Sequence, residues 1–218
     1  RRAQRVPLQH LLGNAPFGPV TVQVGPGVFI PRPETESMLE WAVSQRLSQD
    51  AVIVDLCTGS GALALALSNH WPDARIIAVD DSEDALEYAR RNAAGTQIEL
   101  LRADVTQPGL LPELDGGVDL LVANPPYIPD DATLEPEVGE HDPRHALFGG
   151  PDGMAVIDAI VALAARWLRD GGSCAVEHDD TTSARTVEAF TRLGTFEDIT
   201  ARHDLAGRPR FVTARRGS

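Results

Sequence analysis

The chain carries two alternating patterns of apolar residues. Short continuous apolar runs, typical of strands buried on both faces of a sheet, occupy residues 51–56, 74–79, 97–101, 118–123 and 173–177. Between and after these runs, apolar residues recur at helical spacing over residues 34–49, 62–67, 82–92, 154–168 and 182–193. Two more strands are predicted at residues 195–201 and 210–214, with an antiparallel return through Arg208-Pro209. The pattern predicts an α/β fold with a doubly wound, mainly parallel, seven-stranded sheet.

An N-terminal β-hairpin is predicted ahead of this sheet. Residues 20–24 alternate between apolar and polar, Gly25-Pro26-Gly27 is a turn signal, and residues 28–30 are suited to a returning strand. Pro31-Arg32-Pro33 then ends the hairpin and begins a helix. We expect an N-terminal segment with the hairpin over residues 1–33 and one domain over residues 34–218.

Composition and charge exclude several classes of protein. The 218 residues are 43% hydrophobic and 23% charged, as in an ordinary globular domain, and no run of about 18 apolar residues predicts a membrane span. The net charge is −13, and all 19 basic residues are arginine. Direct nucleic-acid binding is therefore not expected, because such proteins carry a basic face. The only two cysteines, Cys57 and Cys174, lie in apolar runs, which indicates reduced thiols and a cytoplasmic protein.

A glycine-rich turn follows the first buried run. Cys57-Thr58-Gly59-Ser60-Gly61 stands between a strand and a helix, the arrangement in which backbone approaches a nucleotide-type cofactor. The next strand ends in Asp80, which is placed to accept hydrogen bonds from two ribose hydroxyls. Asp104 follows the third strand and should lie at the same edge, either at the ligand or capping its own loop.

The motif Asn124-Pro125-Pro126-Tyr127 ends the fourth predicted strand. Proline has no N–H and cannot continue the sheet, so the Asn124 side chain and the Pro125 carbonyl are left without ladder partners at a strand's carboxyl end. Ligands bind at this edge of open α/β sheets. Two neighbouring oxygen acceptors suit a planar NH2 group with two hydrogens, and Tyr127 offers a flat face beside them.

A long aperiodic segment follows this motif. Residues 128–152 contain four prolines, and loops of this length inside a domain are usually functional or disordered, so we expect a substrate-facing lid. His141, Asp142 and His145 have the composition of metal ligands. They lack a supporting pattern, so no metal is predicted.

Together these residues resemble the HemK-type N5-glutamine methyltransferases of peptide-chain release factors, a family of class I S-adenosylmethionine-dependent methyltransferases. The resemblance covers nearly the whole chain. It is carried by residues 31–36, 55–61, Asp80, 124–128, 146–153 and 207–210. The proline–arginine–glutamate block at residues 31–36 is the more specific part, because Asn-Pro-Pro-Tyr alone also occurs in methyltransferases that act on adenine amino groups.

The resemblance implies a function and a set of site residues. It implies methyl transfer from S-adenosylmethionine to the side-chain amide of a glutamine, in the Gly-Gly-Gln motif of release factors. Asn124, Pro125 and Tyr127 would act in catalysis, and the same three residues together with Pro126 would bind the substrate. The cofactor would be held by Asp55, Cys57, Thr58, Gly59, Ser60, Gly61, Asp80, Asp104, Val105 and Asn124.

Some features depart from the family pattern. Cys57 stands where glycine is usual, which we expect to be tolerated if its φ is negative. Asp142-Pro143 replaces glutamate-proline, and Glu177-His178-Asp179-Asp180 replaces a glutamate-isoleucine-glycine run. The family's N-terminal helical substrate domain is absent from this sequence, so we expect either a truncated chain or another source of substrate affinity.

Two alternative substrates remain open at this point. Close relatives methylate a glutamine of a ribosomal protein, and adenine N6-methyltransferases share the Asn-Pro-Pro-Tyr motif. A dinucleotide oxidoreductase would also use a glycine loop with Asp80, but it would not explain Asn124-Pro125-Pro126-Tyr127. A non-catalytic module that has kept the cofactor pocket would not need that motif either.

Overall fold

The computed structural model describes residues 5–134 and 136–218, with the backbone alone given for Pro136 and Glu137. The strands are β1 (Asn14–Phe17), β2 (Val20–Gln23), β3 (Val52–Leu56), β4 (Arg75–Asp80), β5 (Glu99–Arg102), β6 (Val118–Ala123), β7 (Leu168–Glu177), β8 (Phe196–His203) and β9 (Pro209–Arg216). The helices are α1 (Leu8–Leu12), α2 (Pro33–Val43), α3 (Ala62–His70), α4 (Glu83–Asn92), α5 (Pro136–Gly139), α6 (Ala155–Trp167) and α7 (Ser183–Leu193).

The central feature is one sheet in the strand order β5-β4-β3-β6-β7-β9-β8. Strands β3 to β7 pair in parallel, and β9 runs antiparallel to both of its neighbours. The predicted α/β fold with a mainly parallel seven-stranded sheet is therefore confirmed. None of the helices in the described ranges has the length and the apolar run needed to cross a bilayer.

Both faces of the sheet are covered, which explains the continuous apolar runs. Neighbouring residues of a central strand belong to different apolar clusters, as Ile53 and Val54 of β3 do. Leu120 and Leu121 of β6 are divided in the same way. The hairpin, α2 and α3 cover one face, and α6 and α7 cover the other. Successive side chains of a strand point to opposite faces of the sheet. When both faces are covered, every side chain of the strand is buried, so apolar and polar residues do not alternate along it.

The N-terminal hairpin is present, but its predicted turn is wrong. Strands β1 and β2 pair antiparallel, and the turn between them lies at Gly18-Pro19 instead of residues 25–27. Residues 28–30 form no strand, although Val28 and Ile30 are fully buried. The alternation there reflects side-chain burial without strand pairing, because Pro26 and Pro31 have no N–H for a ladder.

Helix α2 ends at Val43, before the predicted end at residue 49. The side chains that follow compete for its last carbonyl groups. The Ser44 hydroxyl and the Gln45 side chain both donate to the Trp41 carbonyl, at 2.6 and 3.0 Å. Such local side-chain bonds satisfy the helix end and stop its propagation.

The second half of the predicted lid is fastened to the backbone after Asn124. The Ile128 N–H donates to the Leu147 carbonyl and the Gly149 N–H donates to the Ile128 carbonyl, each at 2.9 Å. Gly153 has a φ of +75°, and a Cβ atom there would collide with the Tyr127 carbonyl oxygen. The segment thus packs too closely on Tyr127 for any residue larger than glycine.

We expect Gly153→Ala to lower the free energy of unfolding by about 1–3 kcal/mol more than Gly207→Ala, because overpacking adds a cost of that order. Gly207 is the matched control, since its φ is +79° but a Cβ there would meet open space. Both variants therefore share the cost of a left-handed backbone. Urea denaturation measures both, and equal losses would show that the close approach to Tyr127 has no energetic weight.

Candidate active site

The carboxyl ends of the parallel strands open into one cavity of about 550 Å³. It brings together nearly all the residues that the sequence predicted. Those that line it are Asp55, Cys57, Thr58, Gly59, Ser60, Asp80, Asp104, Val105, Asn124, Pro125, Pro126 and Tyr127. Gly61 is the exception: it lies at the start of α3, where a Cβ would contact Ala89 of α4 at 3.4 Å.

Asp55 ties the glycine loop to the helix behind it. One oxygen of its carboxylate accepts hydrogen bonds from the Thr58 hydroxyl at 2.6 Å and from the Ala64 N–H at 3.1 Å. The side chain is buried, and this burial raises the pKa of Asp55 to about 7 in spite of the two donors. Its role is to hold the turn in shape at the edge of the cavity.

Asp80 fastens the same loop to the end of β4. One carboxylate oxygen accepts from the Gly59 N–H at 2.8 Å, and the other accepts from the Ser82 N–H at 3.0 Å. Burial raises the pKa of Asp80, and the two N–H donors oppose that rise. Each carboxylate oxygen has two lone pairs, so each retains one for a further donor in the cavity.

The condition given for Cys57, a negative φ, is not met. Its φ is +58°, in the left-handed region that costs a residue with a Cβ about 1–2 kcal/mol. The conformation lets Thr58 donate its N–H to the Val79 carbonyl at 3.0 Å, which keeps the loop attached to β4. Glycine would adopt this backbone without strain, so Cys57 adds a local conformational energy cost to the glycine-rich turn.

Asp104 lies at the predicted edge and also bonds to its own loop. It lines the cavity, and its carboxylate also accepts from the Thr106 N–H at 2.8 Å and the Thr106 hydroxyl at 2.6 Å. Those hydrogen bonds hold the pKa of Asp104 below its usual range, so it stays ionised. Val105 beside it is buried and gives the cavity an apolar wall.

Asn124 and Pro125 provide the two acceptors that the sequence predicted. The Asn124 side-chain nitrogen donates to the Thr35 hydroxyl oxygen at 3.1 Å. Neither the Asn124 carboxamide oxygen nor the Pro125 carbonyl accepts a hydrogen bond from any residue in the described ranges. Both residues line the cavity. Two oxygen acceptors without donors among the described residues therefore lie in the same cavity as the glycine loop.

Sequence reasoning missed a polar chain beside these acceptors, in which Thr35 and Glu177 also line the cavity. The Thr35 hydroxyl donates to one oxygen of Glu177 at 2.8 Å, and the Tyr127 hydroxyl donates to the other at 3.2 Å. Burial raises the pKa of Glu177 to about 7, and the Thr35 donor and Arg210 lower it. Glu177 ends β7 as Asn124 follows β6, so the same strand-end argument could have found it.

The segment over residues 128–152 borders one side of the cavity. The buried Asp142 carboxylate forms an ion pair with the partly exposed Arg32, which joins this segment to the residues between the hairpin and α2. Val138, Pro143 and Phe148 line the cavity from the lid side. Within the part of the chain that the structure describes, no group of three or more His, Cys, Asp or Glu side chains is arranged to hold a metal ion.

Comparison with known proteins gives the class of this chain. Residues 23–140 match the family model described as "Methyltransferase small domain". The fold is similar to that of a methyltransferase from Pyrococcus furiosus, with a TM-score of 0.67 and 17% identity, covering 100% of this chain and 98% of that one. The family match and the fold identify a methyltransferase.

Two relatives narrow the assignment. The chain is 77% identical over 215 residues to the release factor glutamine methyltransferase of Mycolicibacterium smegmatis, covering 99% of this chain and 76% of that protein. It is 67% identical over 219 residues to the enzyme of that name from Mycobacterium tuberculosis, covering 99% of this chain and 72% of that protein. The chain belongs to the family of release factor glutamine methyltransferases.

The raised pKa of Asp55 gives a pH dependence of stability. Its ordinary value is 3.8 and its folded value is about 7, so between these the folded protein holds a proton that the unfolded chain has released. This group therefore makes the protein less stable as the pH rises through that window. Asp55→Asn keeps an oxygen for the donors Thr58 and Ala64 and removes the titration.

We expect the wild type to lose at least about 1 kcal/mol of unfolding free energy relative to Asp55→Asn between about pH 5 and pH 7.5, since one pKa unit corresponds to about 1.4 kcal/mol. Urea denaturation of both proteins at the two pH values measures the difference. A constant difference, or one of opposite sign, would contradict the raised pKa.

Proposed function

We propose that this enzyme transfers a methyl group from S-adenosylmethionine to the side-chain amide nitrogen of a glutamine in a peptide-chain release factor. The observation that carries the proposal is the pair of free acceptors, Asn124 and Pro125, in the same cavity as the glycine loop. The names of the relatives at 67–77% identity support a release factor as the substrate.

The residues at the cofactor end fit S-adenosylmethionine. This cofactor supplies a methyl group on a positively charged sulfur and is released as S-adenosylhomocysteine. Asp80 has a free lone pair on each carboxylate oxygen for the ribose hydroxyls, and Asp104 and Val105 border the place for the adenine. Cys57, Thr58, Gly59 and Ser60 line the cavity between them.

The acceptor pair makes the amide nitrogen reactive. An amide nitrogen is a weak nucleophile because its lone pair is delocalised into the carbonyl. Asn124 and Pro125 each accept one amide hydrogen, which favours positive charge on the nitrogen and directs its lone pair at the methyl group. The new N–C bond forms as the S–C bond breaks, and the nitrogen then loses a proton to water or a nearby carbonyl. Tyr127 supplies the wall on which the planar amide lies.

Net charge favours a protein substrate over nucleic acid. The chain carries a net charge of −13, whereas binding to the phosphate backbone requires a basic face. A flipped adenine could still present its NH2 group to Asn124 and Pro125, and a ribosomal protein could present a glutamine. These substrates are the alternatives that the test must separate.

Mass spectrometry of candidate substrates tests the proposal. The enzyme is incubated with S-adenosylmethionine and, separately, with a release factor, the same release factor with the Gly-Gly-Gln glutamine changed to asparagine, ribosomal proteins and an adenine-containing oligonucleotide. One added methyl on the glutamine of the unaltered release factor is the expected result. Methylation of the oligonucleotide or of ribosomal proteins alone would overturn the assignment.

We expect Asp80→Ala to weaken S-adenosylmethionine binding by about tenfold or more, since a hydrogen bond to a charged group contributes about 1.5–3 kcal/mol. Calorimetry measures the affinity directly. Asp81→Ala is the control, because Asp81 also lines the cavity but the Gly59 and Ser82 N–H groups bond to Asp80. Equal affinities of the Asp80 variant and the wild type would remove Asp80 from the cofactor site.

We expect Asn124→Ala to lower kcat by about 10²–10³ at saturating cofactor, as removal of one oriented polar group from an active site typically does. The resemblance also counts Asn124 among the cofactor-binding residues, but we expect cofactor affinity to stay within about twofold, because the Asn124 side chain bonds to Thr35 instead of to the glycine loop. Turnover close to the wild-type value would contradict the role of the carboxamide oxygen.

A further inference from the structure

The Thr35 hydroxyl stands between the proposed acceptor Asn124 and a buried carboxylate. Thr35 lies in the first turn of α2 and is 4% exposed, and Glu177 at the end of β7 is 1% exposed. The Thr35 hydroxyl contacts Glu177 at 2.8 Å and the Asn124 side-chain nitrogen at 3.1 Å. Three elements distant in sequence therefore meet at one oxygen atom.

The chemistry of a hydroxyl group fixes the direction of both hydrogen bonds. A hydroxyl has one hydrogen to donate, and a carboxylate that is ionised, as Glu177 is above its pKa of about 7, can only accept. The Thr35 hydrogen therefore goes to Glu177, and the Thr35 oxygen can only accept from Asn124. Because the NH2 end of the Asn124 carboxamide must face Thr35, its oxygen end faces the cavity.

Glu177 is in turn held by its surroundings. Its second oxygen accepts from the Tyr127 hydroxyl at 3.2 Å, and the Arg210 guanidinium favours its charged form. The negative charge of Glu34 disfavours the charged form of Glu177. The Glu177 carboxylate thus connects to Tyr127 directly and to Asn124 through the Thr35 hydroxyl.

We propose that Thr35 and Glu177 are positioning residues that fix the Asn124 carboxamide with its oxygen toward the substrate. This proposal deepens the proposed function and rests on it for its catalytic consequence. Asn124 in the opposite orientation would present an NH2 group to the NH2 group of the substrate, and two donors cannot form a hydrogen bond. Thr35 and Glu177 also line the cavity, and the role proposed for them is exerted through Asn124.

Steady-state kinetics of Thr35 variants test the consequence. Thr35→Val keeps the side-chain shape without the hydroxyl, and we expect kcat to fall about tenfold with cofactor affinity unchanged, as the loss of a hydrogen bond of about 1.5 kcal/mol would give. Thr35→Ser restores the hydroxyl and should stay within about twofold of the wild type. A Thr35→Val kcat equal to the wild type, or a Thr35→Ser loss as large as that of Thr35→Val, would overturn the proposal.

A double-mutant cycle separates positioning from general damage to the fold. If Thr35 acts through Asn124, adding Thr35→Val to Asn124→Ala should produce no further loss of kcat. An additional tenfold loss in the double variant would show that Thr35 acts by another route, and the proposal would be wrong.

Nuclear magnetic resonance gives a readout that does not depend on activity. The chain has four asparagines, Asn14, Asn69, Asn92 and Asn124, so labelling asparagine with ¹⁵N yields four side-chain NH2 pairs. The pair missing in Asn124→Ala identifies Asn124. Thr35→Val should shift this pair and speed its exchange with water, and Thr35→Ser should leave it in place.

Asn92 provides the internal control for an intact fold. Its NH2 group donates to the carbonyls of Gln23 and Ser60 at 3.0 and 2.8 Å, independently of Thr35, so its signals should not move. An unchanged Asn124 pair in Thr35→Val would refute the orientation. If the Asn124 pair moves as expected but no glutamine is methylated by the wild type, the proposed function fails and the orientation stands.

Discussion

The single hydrogen of the Thr35 hydroxyl is the constraint on which the acceptor side of the site depends. It is donated to Glu177, and Asn124 can then approach the same oxygen only with its NH2 group. The oxygen end and the NH2 end of a carboxamide are nearly equal in size, so packing alone would hardly distinguish them. The hydrogen bond to Thr35 does distinguish them. The proposed orientation of the acceptor thus depends on hydrogen-bond direction among residues of the cavity wall.

The parallel sheet makes this arrangement possible. Asn124 follows β6, Glu177 ends the neighbouring strand β7, and Asp80 ends β4. Because parallel strands end at the same edge, a proposed substrate acceptor, its buried support and the proposed ribose-binding group come within one cavity. Apolar side chains pack on both faces of the sheet. The polar side chains of the proposed site lie at the strand ends.

Much of this arrangement could be predicted from the sequence. The continuous apolar run before Asn124 and the two prolines after it place the motif at a strand end, and the run before Cys57 does the same for the glycine loop. The hairpin turn was misplaced because the buried Val28 and Ile30 alternate as strand residues do without pairing. Alternation reports which side chains are buried, and it does not report hydrogen-bond partners.

Other features could not be predicted, because they depend on contacts between distant segments. The Thr35 and Glu177 pair is 142 residues apart, and no local pattern links a helix start to a strand end. The positive φ of Cys57 accompanies the bond from Thr58 to β4, and a residue preference for negative φ cannot reveal it. Similarly, the closeness of Gly153 to the Tyr127 carbonyl requires the folded lid segment.

The central claim is that the carboxamide NH2 of the substrate lies between the Asn124 side-chain oxygen and the Pro125 carbonyl. A crystal structure of the enzyme with S-adenosylhomocysteine and a glutamine-containing release-factor peptide tests it most directly. The account predicts that the peptide's carboxamide nitrogen lies about 2.7–3.2 Å from both oxygens, the usual range for such hydrogen bonds. A glutamine held by other groups, or an Asn124 oxygen directed at Thr35, would contradict it.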